Sequence, residues 1–146
     1  MTRINSAIPV RCLTDEHLLA EHREIKRLPY NLNQAIRKGS IDRIPERFVL
    51  GKGHVLFFLD KMLFVYDRYC KIHDELIRRG YAPTSFHENW NTVPLEYYNK
   101  HMPTEEECRL LIDRIKERIV GSPKKVWHYY CHEVSKEGAI DILNNF

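Results

Sequence analysis

Apolar residues recur along this chain mostly at helical spacing, and no stretch alternates apolar and polar positions as a half-buried strand does. Leu111, Ile112, Ile115 and Ile119 step by three or four and predict a helix. Thr104 followed by Glu105, Glu106 and Glu107 opens it as a capping box, and Gly121 with Pro123 closes it. A longer apolar series, Val55 to Phe58 and then Leu63, Phe64, Tyr69, Ile72, Leu76 and Ile77, predicts a core helix over 55–79, continuous or bent early, ended by Gly80. Thr14 caps a first helix, with Asp15 and Glu16 suited to its positive end, and Pro29 stops or kinks it. A short helical piece over 33–38 follows, with Gly39 as its cap. Between the second and third helices lie Pro83, Pro94 and Pro103, with Phe86, Trp90, Tyr97 and Tyr98 pinning that loop to the core. The expected fold class is all-α: a compact single domain of three main helices with long loops and no sheet.

Length and composition narrow the class. A chain of 146 residues is one domain by prior and long enough to bury a core. Its net charge of +3 permits a nucleic-acid partner without demanding one. Cys12, Cys70, Cys108 and Cys131 are scattered, with no CxxC pair and no secretory segment, so a reduced, cytoplasmic protein is expected. Cys70 with His73, and Cys131 with His132, do not make a four-ligand zinc set. No metal, no cofactor and no membrane span are expected, since Asp60 and Lys61 interrupt the most apolar run.

Candidate chemistry concentrates near the start. Removal of Met1 exposes the α-amine of Thr2, whose ordinary pKa of about 7.7–8.0 leaves a nucleophilic fraction near neutrality. An amine beside an acid can open a glycosidic bond and hold the sugar as a Schiff base. The acid is Glu24, bracketed by Arg23 and Arg27, and arginines there suit phosphates. His17, Ala20, Glu24 and Arg27 share one helical stripe, while Leu18, His22 and Ile25 form a second that can bury. The plain alternative for the first stripe is a solvated face with ordinary ion pairs. Lys124, Lys125, Trp127, His128, Tyr129 and Tyr130 interleave basic and aromatic side chains, a pattern that follows a phosphate backbone and stacks on bases. Its alternative is an apolar tail folded onto the core. Arg109, Arg114, Lys116 and Arg118, mixed with Asp113 and Glu117, read by themselves as a solvated face.

Together these segments resemble the pyrimidine-dimer DNA glycosylases of T-even phages, the phage endonuclease V family. The resemblance rests on Met1-Thr2-Arg3-Ile4-Asn5 and on His17-Leu18 followed by Ala20-Glu21, Arg23-Glu24 and Arg27. It rests also on Phe48-Val49-Leu50-Gly51-Lys52-Gly53-His54-Val55, Phe57-Phe58 and Asp60-Lys61, on Arg79-Gly80-Tyr81, and on the terminal Trp/Tyr cluster, covering about 1–130. It implies an N-terminal arm that runs between the helices to the active site. It implies that the Thr2 amine attacks C1′ of the 5′ sugar of a cyclobutane pyrimidine dimer, and that Glu24 stabilises developing charge and assists β-elimination. Arg23 and Arg27 match phosphate-binding positions, Arg3 and His17 match further site positions, and Arg114 and Arg118 match backbone contacts. Lys124 and Lys125 join the phosphate-binding set, with Trp127, Tyr129 and Tyr130 as the lesion or stacking cluster. The partner implied is damaged double-stranded DNA, bound by a monomer in a bacterial or phage-infected cell and associated with its nucleoid. The family flips out the base opposite the lesion and kinks the duplex.

The chain departs from that pattern in places. His22 stands where tyrosine is expected and Lys26 where proline is expected, the stretch 30–47 diverges, and the terminal aromatics are shifted by about one residue. The glycosylase domain is expected over 1–132, with 133–146 a C-terminal extension. Two further readings stay in view: the same chemistry on another altered base or an abasic site, and a DNA-bending protein without catalysis.

Overall fold

The computed structural model describes residues 4–145, so Met1, Thr2, Arg3 and Phe146 lie outside the described residues. Within them the protein is mostly helical: α1 (Asp15–Ile25), α2 (Leu28–Lys38), α3 (His54–Phe58), α4 (Met62–Arg78), α5 (Glu105–Gly121) and α6 (Lys136–Asn144). Strands β1 (Trp127–Tyr129) and β2 (His132–Val134) form a small antiparallel ribbon.

Several elements differ from expectation for local reasons. Thr14 caps α1 as predicted, accepting from His17 N at 3.3 Å. The first helix stops before Pro29 as expected, at Ile25, and Pro29 sits in the first turn of α2, where its missing N–H costs nothing. The short piece expected over 33–38 therefore begins at Leu28, and it ends as predicted on Gly39, at φ 70°. The long core helix is broken at Leu59–Lys61 into α3 and α4. Lys61 turns its Nζ back to the Phe57 carbonyl at 2.8 Å, and Asn99 Nδ2 donates to the Asp60 carbonyl at 2.8 Å. The chain beyond α4 thus satisfies the break from outside. At α5, Thr104 accepts from Glu107 N at 3.1 Å, but the Glu107 carboxylate faces His101 at 3.0 Å instead of completing the box.

The absence of a sheet is corrected by the ribbon. Tyr130 and Cys131 both take positive φ, 51° and 66°, which closes a tight turn twisted to suit a hairpin. Neither residue favours that region locally. Its strain is offset by contact with α1: the Asp15 carboxylate accepts from Tyr130 N at 3.1 Å and Cys131 N at 2.9 Å. Beyond the ribbon, α6 packs Ala139 and Leu143 into the same core as the other helices.

That core is built around α4. Met62, Val65, Tyr69, Ile72 and Leu76 are buried at helical spacing against Leu18 and Ile25 of α1, with Leu111, Ile115 and Ile119 of α5 in the same cluster. The segment before α1 crosses this core, with Ile4 and Ile8 fully buried. Arginines of α4 and its C-terminus hold the segment's carbonyls. Arg68 donates to Ile8 O while bonding both Glu21 oxygens, at 2.8 and 3.0 Å. Arg79 donates to Leu13 O at 2.8 Å and Val10 O at 3.1 Å, and pairs with Asp15 and Glu75.

A candidate DNA-lesion site

A cavity of about 320 Å³ opens between α1, α5, the segment before α1 and the ribbon. It is lined by Asn5, by His17, Glu21 and Glu24 of α1, by His54, by Arg114 and Arg118 of α5, and by Trp127. The helical stripe drawn from the sequence explains α1's share: His17, Ala20 and Glu24 all line it. Glu24 is partly exposed, and its Oε2 accepts from Arg27 Nη1 at 3.2 Å. Arg114 and Arg118, one turn apart on α5, face the same space. Burial and the neighbouring Arg114 charge lower the Arg118 pKa, as expected where like charges converge. Such a pair attracts an anion.

The N-terminus of α1 attaches the ribbon to this cavity. Asp15 receives the turn, as above. Glu16 accepts from His128 N at 2.9 Å, meets His128 Nδ1 at 2.9 Å and pairs with Lys124 at 3.0 Å. His17 stacks on Trp127 with ring centres 5.2 Å apart and planes 7° apart. Burial holds the His17 pKa down to about 4, so the ring is neutral near pH 7. Burial raises the Asp15 and Glu16 pKa values, but the hydrogen bonds they accept outweigh it and leave both below the ordinary carboxylate range.

The structure therefore brings Glu24, His17, Arg114, Arg118 and Trp127 to one cavity. Thr2 and Arg3 fall outside the described residues. Arg23 is exposed on α1, Arg27 reaches the site only through Glu24, and Lys125 is exposed at the approach to β1. Lys124 lies 5.1 Å from the Trp127 ring. Tyr129 and Tyr130 do not line the cavity. Their hydroxyls bond Arg11 O and Glu75 Oε2, each at 2.8 Å, and both rings lie 4.7 Å from the Arg79 guanidinium. Among the described residues, no group of His, Cys, Asp or Glu is placed to hold a metal ion, and no helix is long and apolar enough to cross a membrane.

Sequence reasoning did not assign roles to Asn5, His54 or Arg68. The signal available for His54 was the Gly51-Lys52-Gly53 turn before it, which brings its ring to Val49 and Ile4.

A family model described as pyrimidine dimer DNA glycosylase matches residues 1–89, a range that includes α1 to α4. The α5 arginines and Trp127, which complete the cavity, lie beyond that match. With more than half its length matched, the chain belongs to the pyrimidine dimer DNA glycosylase family.

Proposed function

We propose that this protein is a DNA repair glycosylase with an associated lyase activity, excising cyclobutane pyrimidine dimers through a Schiff base on the Thr2 amine. The observation that supports it most is the cavity itself. Among the described residues, the carboxylates lining it are Glu21, which is held by Arg68, and Glu24. Asn5 lines the same cavity, and Thr2 is two residues before the anchored Ile4.

In this reading the neutral amine attacks C1′ and the glycosidic bond breaks, its electron pair leaving with the base; the amine, now bonded to C1′, gives up a proton, and its lone pair then opens the C1′–O4′ bond as O4′ takes a proton, which leaves an iminium ion. Glu24 stabilises the positive charge and then takes the C2′ proton, and the 3′ phosphate departs by β-elimination. Arg114 and Arg118 hold backbone phosphates, and Trp127, braced by His17, gives an apolar face for an unstacked base. Met1 must be removed for the amine to exist.

The test is incision of duplex DNA carrying one defined thymine dimer, with borohydride in a parallel sample and mass spectrometry of the product. An adduct on the Thr2 amine is the expected result. Absence of both incision and adduct, in protein confirmed to begin at Thr2, overturns the enzyme reading. One observation favours a second substrate reading. Tyr129 and Tyr130 are bound into the Arg79 network, which leaves Trp127 as the aromatic of that cluster at the cavity. If abasic DNA traps the protein while the dimer does not react, the substrate is an abasic site or another altered base.

A further inference from the structure

The motif Leu50-Gly51-Lys52-Gly53-His54 has no part in the chemistry above, yet its geometry is costly. Gly51 has φ 85°, a region that glycine enters without strain. At Gly53 a Cβ would lie 2.7 Å from Val49 Cγ2 and 3.3 Å from Pro45 Cγ, so any other residue there requires those side chains to shift. Closing the turn sets the Val49 carbonyl 3.1 Å from His54 Nδ1. The other ring nitrogen, Nε2, lies 3.0 Å from Ile4 N and 3.1 Å from Ile4 O. Phe48 and Phe58 meet the imidazole edge-on, each at 5.4 Å and 83°, which fixes the plane of the ring.

The contacts to Val49 O and Ile4 N favour one tautomer. A proton on Nδ1 donates to Val49 O and lets Nε2 accept the Ile4 N–H. A proton on Nε2 alone would set the Nδ1 lone pair against the Val49 carbonyl. Ile4 is fully buried, and its N–H is held by a ring that also lines the cavity. The next residues toward the N-terminus are Arg3 and Thr2.

We propose that His54 is a positioning residue for the N-terminal nucleophile: in its Nδ1–H tautomer it clamps Ile4 and so determines where the Thr2 amine meets the sugar. The inference rests on the amine reading proposed above and adds to it the group that aims the amine. A nucleophile at the end of a chain otherwise moves freely, and orientation is worth large factors in rate. The glycine-rich turn then has a function: it supplies the carbonyl that sets the tautomer.

The test compares native protein with His54→Gln and His54→Leu on abasic duplex DNA. Borohydride-trapping rates are measured at saturating DNA, DNA affinity separately, and folding by thermal melting. The expected result is a trapping rate lowered about 100-fold in His54→Leu with affinity nearly unchanged, since misplacement of about 1 Å has that effect. In His54→Gln a side-chain carbonyl can again accept the Ile4 N–H, and part of the rate returns. A purely structural role would instead lower the melting temperature while the folded fraction reacted at the native rate. A folded His54→Leu that traps at the native rate overturns the proposal. Nitrogen NMR of native protein gives a second test that needs no variant: Nδ1 protonated with Nε2 accepting supports it, and Nε2 protonated overturns it. Failure of the amine reading is distinguishable, because it appears in native protein as an adduct at another residue or as no adduct.

Discussion

Glu24 shows how little a residue's chemistry is set by its neighbours in sequence. Arg23 and Arg27 flank it, yet Arg23 points to solvent and Arg27 is mostly exposed, bonding Glu24 at 3.2 Å. The cations that share its cavity are Arg114 and Arg118, on a helix some 90 residues later in the chain. Glu24→Gln keeps the shape and the hydrogen bond from Arg27 but removes the charge and the base. Incision of dimer DNA is expected to fall by about 100-fold or more, with DNA binding retained, as read by gel-based incision and by titration of labelled duplex. Activity that persists in this variant would remove Glu24 from the proton-transfer step. His17 belongs to the same scale. The stripe put it beside Glu24, but its neutral state comes from burial against Trp127.

At the scale of elements, buried charge decides how the ribbon docks. Arg79 lies between Asp15 and Glu75, and all three side chains are almost wholly buried. The carboxylates also take Tyr81 and Tyr130 hydroxyls, each at 2.8 Å. Burial alone would raise the Glu75 pKa, but the bonds from Tyr130, Arg79 and Arg78 leave it lowered. Arg79→Leu strands two buried carboxylates, and a loss of about 3–5 kcal/mol is expected in urea unfolding. A loss within error would show the network to be replaceable by packing. The histidines at the α1–α4 contact act in the opposite direction. His22 and His73 face each other at 3.1 Å, with Tyr69, Phe86 and His87 around them and Lys26 over the Phe86 ring. Burial, then the His73, Lys26, Arg23 and His87 charges, hold the His22 pKa down to about 4. His73 is lowered as well, by burial first and then by His87, with Asp74 opposing. A folded-state pKa below the unfolded value means stability that is complete above about pH 6.5 and is lost as pH falls towards 4. His22 contributes a slope of about 1.4 kcal/mol per pH unit within that window. The melting temperature should drop across it, and His22→Phe should flatten the drop. An unchanged slope in that variant would show that His22 does not titrate there.

For the whole molecule, the relevant quantity is where charge lies on the surface, since the net value is only +3. Arg114 and Arg118 share one mouth, and Lys124 pairs with Glu16 at the start of α1. Replacing both arginines by glutamine should reduce the slope of log affinity against log salt by about 2, at about 0.9 for each phosphate no longer neutralised. Fluorescence anisotropy with undamaged duplex measures it, and an unchanged slope would move the DNA path off α5.

Much of this was legible in the sequence, for reasons that are local. The caps Thr14 and Thr104, the αL stop at Gly39 and the helical stripes of α1, α4 and α5 depend on residues within a few positions of each other, so spacing alone predicts them. The same holds for the placement of His17 and Glu24 on one face. What the tertiary structure alone decided depends on partners far along the chain. The ribbon exists because Asp15 receives a strained turn 115 residues away. The break before α4 is satisfied by Asn99, and Tyr129 and Tyr130 leave the cavity because Arg79 and Glu75 take them. Long-range hydrogen bonds between buried polar groups have no periodicity, so they become readable only once the core has brought their partners within about 3 Å.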